Sequence, residues 1–194
     1  LAVTGDAVYT AQYFPVLDRH VPYLFANEQG KLEPQSGLTG QMLADALAAL
    51  AAEGAAKWFP ELPQGQEALS ASRLKTLLEH FYTATELDYV FEGITTDTVT
   101  RGQFAILMNK LLTRGGDETV VLTQPITASD VLDGSQESLA MLEAAVAHIE
   151  DAAGSDWSVL GSVSAQGTGF VNIRGWLYYI DENGDKKRPY IIHR

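Results

Sequence analysis

Apolar residues recur with the spacing of one face of an α-helix at three places in the first part of the chain. In each place a hydroxyl residue directly follows an apolar residue and lies four positions before the first apolar residue of the helix. These hydroxyl residues are Thr39, Ser70 and Thr100, and the apolar residues before them are Leu38, Leu69 and Val99. A hydroxyl at such a position accepts from backbone N–H groups that the first helical turn leaves unpaired. The pattern therefore predicts a repeated helical unit.

The third unit carries the most complete start signal. Gln103 follows Thr100 by three residues, which is the spacing of a capping box. The apolar face of this helix comprises Phe104, Leu107, Met108 and Leu111. The pattern predicts a helix that begins at Thr100 and ends near Leu112, ahead of the break at Arg114-Gly115-Gly116.

Periodicity and capping residues predict four further helices. They cover Val21–Asn27, about Thr39 to Glu53, about Ser70 to Ala84, and Ser135 to Ile149. Gly54 is the expected stop of the second of these, and the third is followed by a connection that ends in Gly93.

Strand-like patterns are concentrated near the C-terminus. Beyond an isolated β-branched run at Thr119–Thr123, they cover Trp157–Val163, Gly169–Ile173, Gly175–Ile180 and Tyr190–His193, with a hairpin turn signal at Asp181–Gly184. The order of elements favours the α+β class: a mainly helical body over residues 1–153 and a small C-terminal antiparallel β unit over residues 154–194.

The composition and net charge of the chain argue against several classes of function. With 46% hydrophobic and 20% charged residues among 194, the chain can bury a core. A net charge of −12 argues against nucleic acid and against adsorption to an anionic membrane. No apolar run approaches the ~20 residues that a membrane-spanning helix needs. The absence of cysteine excludes disulfides and thiolate chemistry and fits a bacterial surface protein, and a start at Leu1 fits removal of a leader or upstream region.

Signals for catalysis and metal binding are weak. Ser72 and Lys75 have the spacing of the serine–lysine pair of penicillin-binding enzymes, but the companion motifs of that site are absent. The histidines have no paired ligand spacing, and Asp181, Asn183 and Asp185 lack the glutamate of a calcium loop. We therefore expect no enzymatic activity, no metal and no cofactor.

Aromatic-proline turns at Phe14-Pro15 and Trp58-Phe59-Pro60, each leading to a capped helix, resemble S-layer homology modules. The first module would run from Phe14 to about Glu53 and the second from Trp58 to about Thr113. A third half-module would run from Ser129 to Ile149. The resemblance covers Phe14 to Ile149.

The resemblance implies three modules around a pseudo-threefold axis. It also implies attachment of an extracellular protein to pyruvylated cell-wall polysaccharide, in grooves where a Thr-Arg-Ala-Glu motif opens the second helix. Thr100 and Arg101 match this motif, and Gln103 stands in place of the acid. In the first module Thr39 is kept and Gly40 replaces the arginine. The implied candidate glycan-binding residues are Thr39, Thr100, Arg101 and Gln103.

A second resemblance lies at the C-terminus. Residues 169–184, GFVNIRGWLYYIDENG, are similar to a single choline-binding or glucan-binding repeat. That resemblance makes Trp176, Tyr178 and Tyr179 a candidate aromatic platform for a quaternary ammonium group or a sugar. Alternatively, Trp176 and Tyr178 face the helical body as part of its core.

We expect a non-catalytic bacterial cell-surface module that attaches an extracellular protein to cell-wall polysaccharide. The alternative is a degenerate S-layer homology-like module that acts in structure, in self-association or in binding a protein partner, without a glycan. A third option, a wall hydrolase, requires carboxylates that converge in a cleft. The expected location is extracellular, on the cell surface or in the wall.

Overall fold

The computed structural model describes residues 13–94, 96–114, 119–122, 135–149, 169–173, 176–180 and 186–187. This part of the chain is mainly helical, which confirms the helical component of the predicted class. Its five α-helices are α1 (Gly40–Leu50), α2 (Ala71–Leu78), α3 (Ala84–Val90), α4 (Arg101–Leu111) and α5 (Gln136–Ala144). A short 3₁₀ turn, Ala56–Trp58, lies between α1 and α2.

A closed ring of three backbone hydrogen bonds joins the starts of α1, α2 and α4. The N–H of Leu38 donates to the carbonyl oxygen of Val99 (2.7 Å), that of Val99 to Leu69 (2.8 Å), and that of Leu69 to Leu38 (2.8 Å). All three side chains are buried. Because each residue directly precedes a helix cap, the ring fixes the three helix starts around one centre.

The three predicted caps are formed. Thr39, Ser70 and Thr100 have extended backbones, and each side chain accepts from the N–H three residues later. At α4 the capping box is complete, because the Thr100 N–H donates to Oε1 of Gln103 (2.9 Å). The repeated helical start predicted from the hydroxyl pattern is therefore confirmed.

The helices share one hydrophobic core. Leucines dominate it, and Phe104 packs edge-on against Tyr23 with ring centroids 6.0 Å apart. The Tyr23 hydroxyl donates to Oδ1 of Asn109 (2.6 Å), while the Asn109 amide donates to the carbonyl of Ala140 in α5 (3.0 Å). The N–H of Tyr23 donates to the carbonyl of Ala144 (3.0 Å), so the segment before α1 ties α4 and α5 together.

Two of the helices predicted before α2 differ from the structure, because one ends earlier and the other is not formed. α1 ends at Leu50 rather than Glu53, since Ala51 turns extended and bridges to Leu17. Gly54 has φ of +74°, but it lies in the following turn and is not the cap of the helix. The helix predicted over Val21–Asn27 is not formed. That segment is non-helical and uses its backbone to bond to α5 and to residues 27–31 instead.

The helix predicted from Ser70 to Ala84 is shorter in the structure, because α2 ends at Leu78. A separate helix, α3, begins at Ala84 and occupies most of the stretch predicted to be a connection. Thr83 and Glu86 form a capping box that starts α3 afresh. The spacing of this pair was a signal in the sequence that the periodicity of α2 obscured.

The described strands are β1 (Thr119–Leu122), β2 (Val146–Ile149), β3 (Gly169–Ile173), β4 (Trp176–Ile180) and β5 (Lys186–Lys187). The β-branched run at Thr119–Thr123 predicted either a strand or an extended connection, and β1 shows that a strand is formed. It pairs antiparallel with β2, and this corrects the prediction that the Ser135 helix continues to Ile149. β-branched residues at the end of that segment favour pairing with β1 over a further helical turn.

β4 pairs antiparallel with β3 and with β5. The predicted strands at Trp157–Val163 and Tyr190–His193 and the turn at Asp181–Gly184 lie outside the described residues. A separate C-terminal β unit over residues 154–194 stays a prediction. Within the described residues, no helix has the length and apolar character needed to cross a membrane.

Candidate functional site

The sequence places the candidate glycan site at the start of α4, around Arg101. In the structure Arg101 is 6% exposed. One nitrogen of its guanidinium donates to the carbonyl oxygen of Phe25 (2.9 Å), and another lies 3.8 Å from Sδ of Met42. The arginine therefore anchors the segment before α1 to the helix start, and its charged head is directed into the protein rather than toward a ligand.

The first backbone N–H groups of α4 are all engaged within the chain. Arg101 N–H donates to Ser36 (2.8 Å), Gly102 N–H to Pro34 (2.8 Å), and Gln103 N–H to the Thr100 hydroxyl (3.0 Å). A helix start binds an anion through such groups only where they remain available. Thr100 and Gln103 consequently act as caps here.

α5 closes the same helix start from outside. A Cβ placed on Gly102 would lie 2.5 Å from Cβ of Glu137 and 3.0 Å from the carbonyl oxygen of Pro34. The Glu137 carboxylate accepts a hydrogen bond from the Gln35 amide. Glycine at position 102 thus permits close approach of α5 and of the turn before α1.

The start of α1, which holds the candidate Thr39, is covered in a similar way. Gly40 N–H donates to Glu67 (3.4 Å) and Gln41 N–H to Gly65 (3.0 Å). A Cβ on Gly40 would lie 2.9 Å from the carbonyl oxygen of Pro63. Glycine at position 40 permits the close approach of the 63–67 segment, which passes directly over this position.

Two open grooves lie beside the start of α2, and the smaller of them also borders Gly40 at the start of α1. The smaller has a volume of about 430 Å³ and the larger about 660 Å³. Ser70 and Asp97 line both grooves. Arg73 adds a guanidinium to the smaller groove, and its side chain is exposed. Sequence reasoning did not select these residues, although the cap signal at Ser70 is the same as at Thr100.

The larger groove also contains the residues of the serine–lysine spacing. Lys75 forms an ion pair with Asp88 of α3 across the groove. The Ser72 hydroxyl lies 3.1 Å from the Ser70 hydroxyl. The ammonium group of Lys75 donates to Asp88, and no hydrogen bond joins it to the Ser72 hydroxyl among the described residues, whereas a base that activates a nucleophile lies within hydrogen-bond reach of it. This geometry gives no support to acyl-transfer chemistry at Ser72.

Other candidates add little to a site. Among the residues that the structure describes, no group of three or more acidic or histidine side chains is placed to hold a metal ion. Trp176, Tyr178 and Tyr179 lie in β4, where the structure describes the backbone pairing alone.

Burial raises the pKa of the Tyr23 hydroxyl and of the Tyr82 hydroxyl well above their ordinary values, so both groups stay neutral in the fold.

Comparison with protein-family models, with curated proteins and with solved structures finds no match for this chain.

Proposed function

We propose that this chain is a non-catalytic cell-surface module that attaches an extracellular protein to cell-wall polysaccharide. We further propose that the polysaccharide binds in the grooves beside α2 and not at Arg101. The observation that carries the proposal is the pair of open grooves beside the start of α2, the smaller of which also borders the start of α1.

The hydrogen-bonded ring supports the first part of this proposal. The resemblance to S-layer homology modules implies three modules around a pseudo-threefold axis, and the ring likewise joins three capped helix starts around one centre, with α1 in the first module and α2 and α4 both in the second. Leu38, Leu69 and Val99 occupy equivalent positions in it, and each cap makes an equivalent bond. This repeated helix start supports the proposal in addition to the Thr-Arg motif on which the sequence resemblance rests.

The lining of the grooves supports the second part. A saccharide is bound by planar polar side chains and hydroxyls that hydrogen-bond to its own hydroxyls. The smaller groove offers Gln64, Glu67, Ser70, Arg73 and Asp97 for this role. At α4, by contrast, the matching positions are buried or bonded within the chain.

A sedimentation assay with isolated Gram-positive walls tests the proposal, with walls stripped of secondary polysaccharide for comparison. We expect wild-type protein to sediment with intact walls only. Arg73→Ala should weaken this binding about tenfold, the loss expected for one charge-assisted hydrogen bond. Lys110→Ala removes the same charge from an exposed position outside the grooves and should bind normally. Equal retention of the Arg73→Ala and Lys110→Ala variants would contradict the assignment of the groove.

The closed start of α4 favours a second candidate function. Arg101, Gly102 and Glu137 pack as structural elements, as expected of a module that retains the ring and binds a protein partner or a second copy instead of a glycan. Absence of wild-type protein from the wall pellet, together with concentration-dependent self-association in analytical ultracentrifugation, would favour this candidate.

A further inference from the structure

We infer that the groove beside α2 accepts an uncharged saccharide and discriminates against an anionic one. This inference depends on the proposed function, because it specifies the ligand of the same groove. It departs from the pyruvylated, anionic ligand that the family resemblance implies.

The charges that line the smaller groove carry the first step. Glu67 and Asp97 contribute two carboxylates, and Arg73 contributes one guanidinium. All three side chains are exposed, so the lining has one more carboxylate than guanidinium facing the groove. An anionic ligand beside Arg73 would therefore also face two carboxylates, with a net repulsion.

The larger groove has the same sign of charge. Its one lysine, Lys75, is neutralised by the ion pair with Asp88. The remaining ionisable residues of its lining, Glu92 and Asp97, are both acidic and exposed. Asp97 belongs to both grooves, so a ligand in either one meets its carboxylate.

Four of the backbone N–H groups at the starts of α1 and α2 already have partners within the chain. Where α1 borders the smaller groove, the N–H groups of Gly40 and Gln41 donate to carbonyls of the 65–67 segment. At α2, Ala71 N–H donates to Thr96 (3.3 Å) and Arg73 N–H to the Ser70 hydroxyl (3.3 Å). These helix starts therefore do not present those donors to an anion.

A neutral sugar suits the same lining. Its hydroxyl groups donate to the carboxylates of Glu67 and Asp97 and accept from Arg73 and the amide of Gln64. Pro63 provides an apolar surface for the C–H face of a sugar ring. A groove of about 430 Å³ lies within the range of small-ligand sites.

The test compares purified wall polysaccharide in its native pyruvylated form with the same polysaccharide after mild acid has removed the pyruvyl groups. Affinities are measured by isothermal titration at about 10 mM salt, where surface charges are weakly screened. We expect the depyruvylated form to bind about five- to tenfold tighter. Asp97→Asn should reduce this ratio, whereas Glu53→Gln, which removes an exposed carboxylate outside the grooves, should leave it unchanged.

The outcomes separate the two proposals. Tighter binding of the pyruvylated form by wild-type protein would overturn this inference and leave wall attachment intact. A ratio that Asp97→Asn and Glu53→Gln change equally would also overturn it, because the discrimination would then reflect net charge and not the groove. Binding of neither form would overturn the proposed function itself, and this inference with it.

Discussion

The starts of α4 and α2 are built from the same local signal and have opposite surroundings. Each has an apolar ring residue followed by a hydroxyl cap, Thr100 or Ser70, that accepts from the N–H three residues on. At α4, α5 and the turn at 34–36 cover the helix start, whereas at α2 two grooves open beside it. The comparison teaches that a capping motif specifies a helix start, while its access to ligand depends on segments remote in sequence.

The largest expected difference between the starts of α4 and α2 is the effect of removing the arginine of each on the free energy of unfolding. Arg101→Ala removes a buried guanidinium and leaves the Phe25 carbonyl without that donor, so we expect a loss of about 3 kcal/mol in the free energy of unfolding. Arg73→Ala removes an exposed side chain and should change it by less than about 0.5 kcal/mol. Urea unfolding of both variants at pH 7 measures the difference. Equal stabilities would mean that Arg101 does not anchor the helix start.

The second position of each helix provides a smaller contrast. Gly102→Ala brings a Cβ to within 2.5 Å of Glu137, so α5 must shift, and we expect a loss of about 1–3 kcal/mol. Ser72→Ala changes the matching exposed position of α2 and should stay within about 0.5 kcal/mol of wild type. Thermal unfolding of the pair measures how tightly α5 closes the start of α4. An unchanged melting temperature for Gly102→Ala would contradict that closure.

Much of this architecture was accessible from the sequence, because caps and periodicity are local. The three hydroxyl positions predicted the repeated helix start, and the pair Thr100 and Gln103 predicted its capping box. The roles of Arg101 and Asp97 were not accessible in the same way. The burial of Arg101 depends on the carbonyl of Phe25, 76 positions away, and Asp97 lines the same groove as Arg73 although it belongs to a different segment of the chain.

The ends of two helices could not be predicted from the local sequence either. α1 stops at Leu50 because Ala51 bridges to Leu17, a pairing that the periodicity of the helix does not record. β2 replaces the expected last turns of the α5 helix because β1 is available to pair with it. In both cases a distant partner decides between two conformations that the local sequence permits.

High pH should destabilise the packing of Tyr23 against α4 and α5. Burial raises the pKa of the Tyr23 hydroxyl, with a smaller opposing effect of Arg114. Since the unfolded chain releases this proton near pH 10, stability is fully present below that pH and falls above it by up to about 1.4 kcal/mol per pH unit. Tyr23→Phe should cost about 1–2 kcal/mol at pH 7 through its lost hydrogen bond to Asn109. It should also flatten the decline measured by urea unfolding between pH 9 and 11.

Tyr82 provides a second phenol for comparison, which separates the effect of pH from the loss of the hydrogen bond to Asn109. Burial raises the pKa of its hydroxyl as well, so Tyr82→Phe should flatten the same decline without the loss of the Asn109 bond. If Tyr23→Phe keeps the wild-type slope, the phenol is not shielded as the packing of α4 and α5 requires.

The smallest expected effect is that of low pH on the start of α3, the helix whose Asp88 lines the larger groove. The pKa of the Glu86 carboxyl is lowered by hydrogen bonds from the Thr83 hydroxyl and from its backbone N–H. A lowered pKa contributes stability that is present above the unfolded value, near 4.3, and is lost as pH falls through the folded value. Because Glu86 is exposed, solvent screening limits this contribution to about 0.5 kcal/mol.

Glu86→Gln should remove this pH dependence and keep most of the cap, whereas Thr83→Ala should lose the cap at every pH. Urea unfolding from pH 6 to 3 distinguishes them, and a large acid transition confined to wild type would place Glu86 in the core of the α3 packing instead of at its exposed edge.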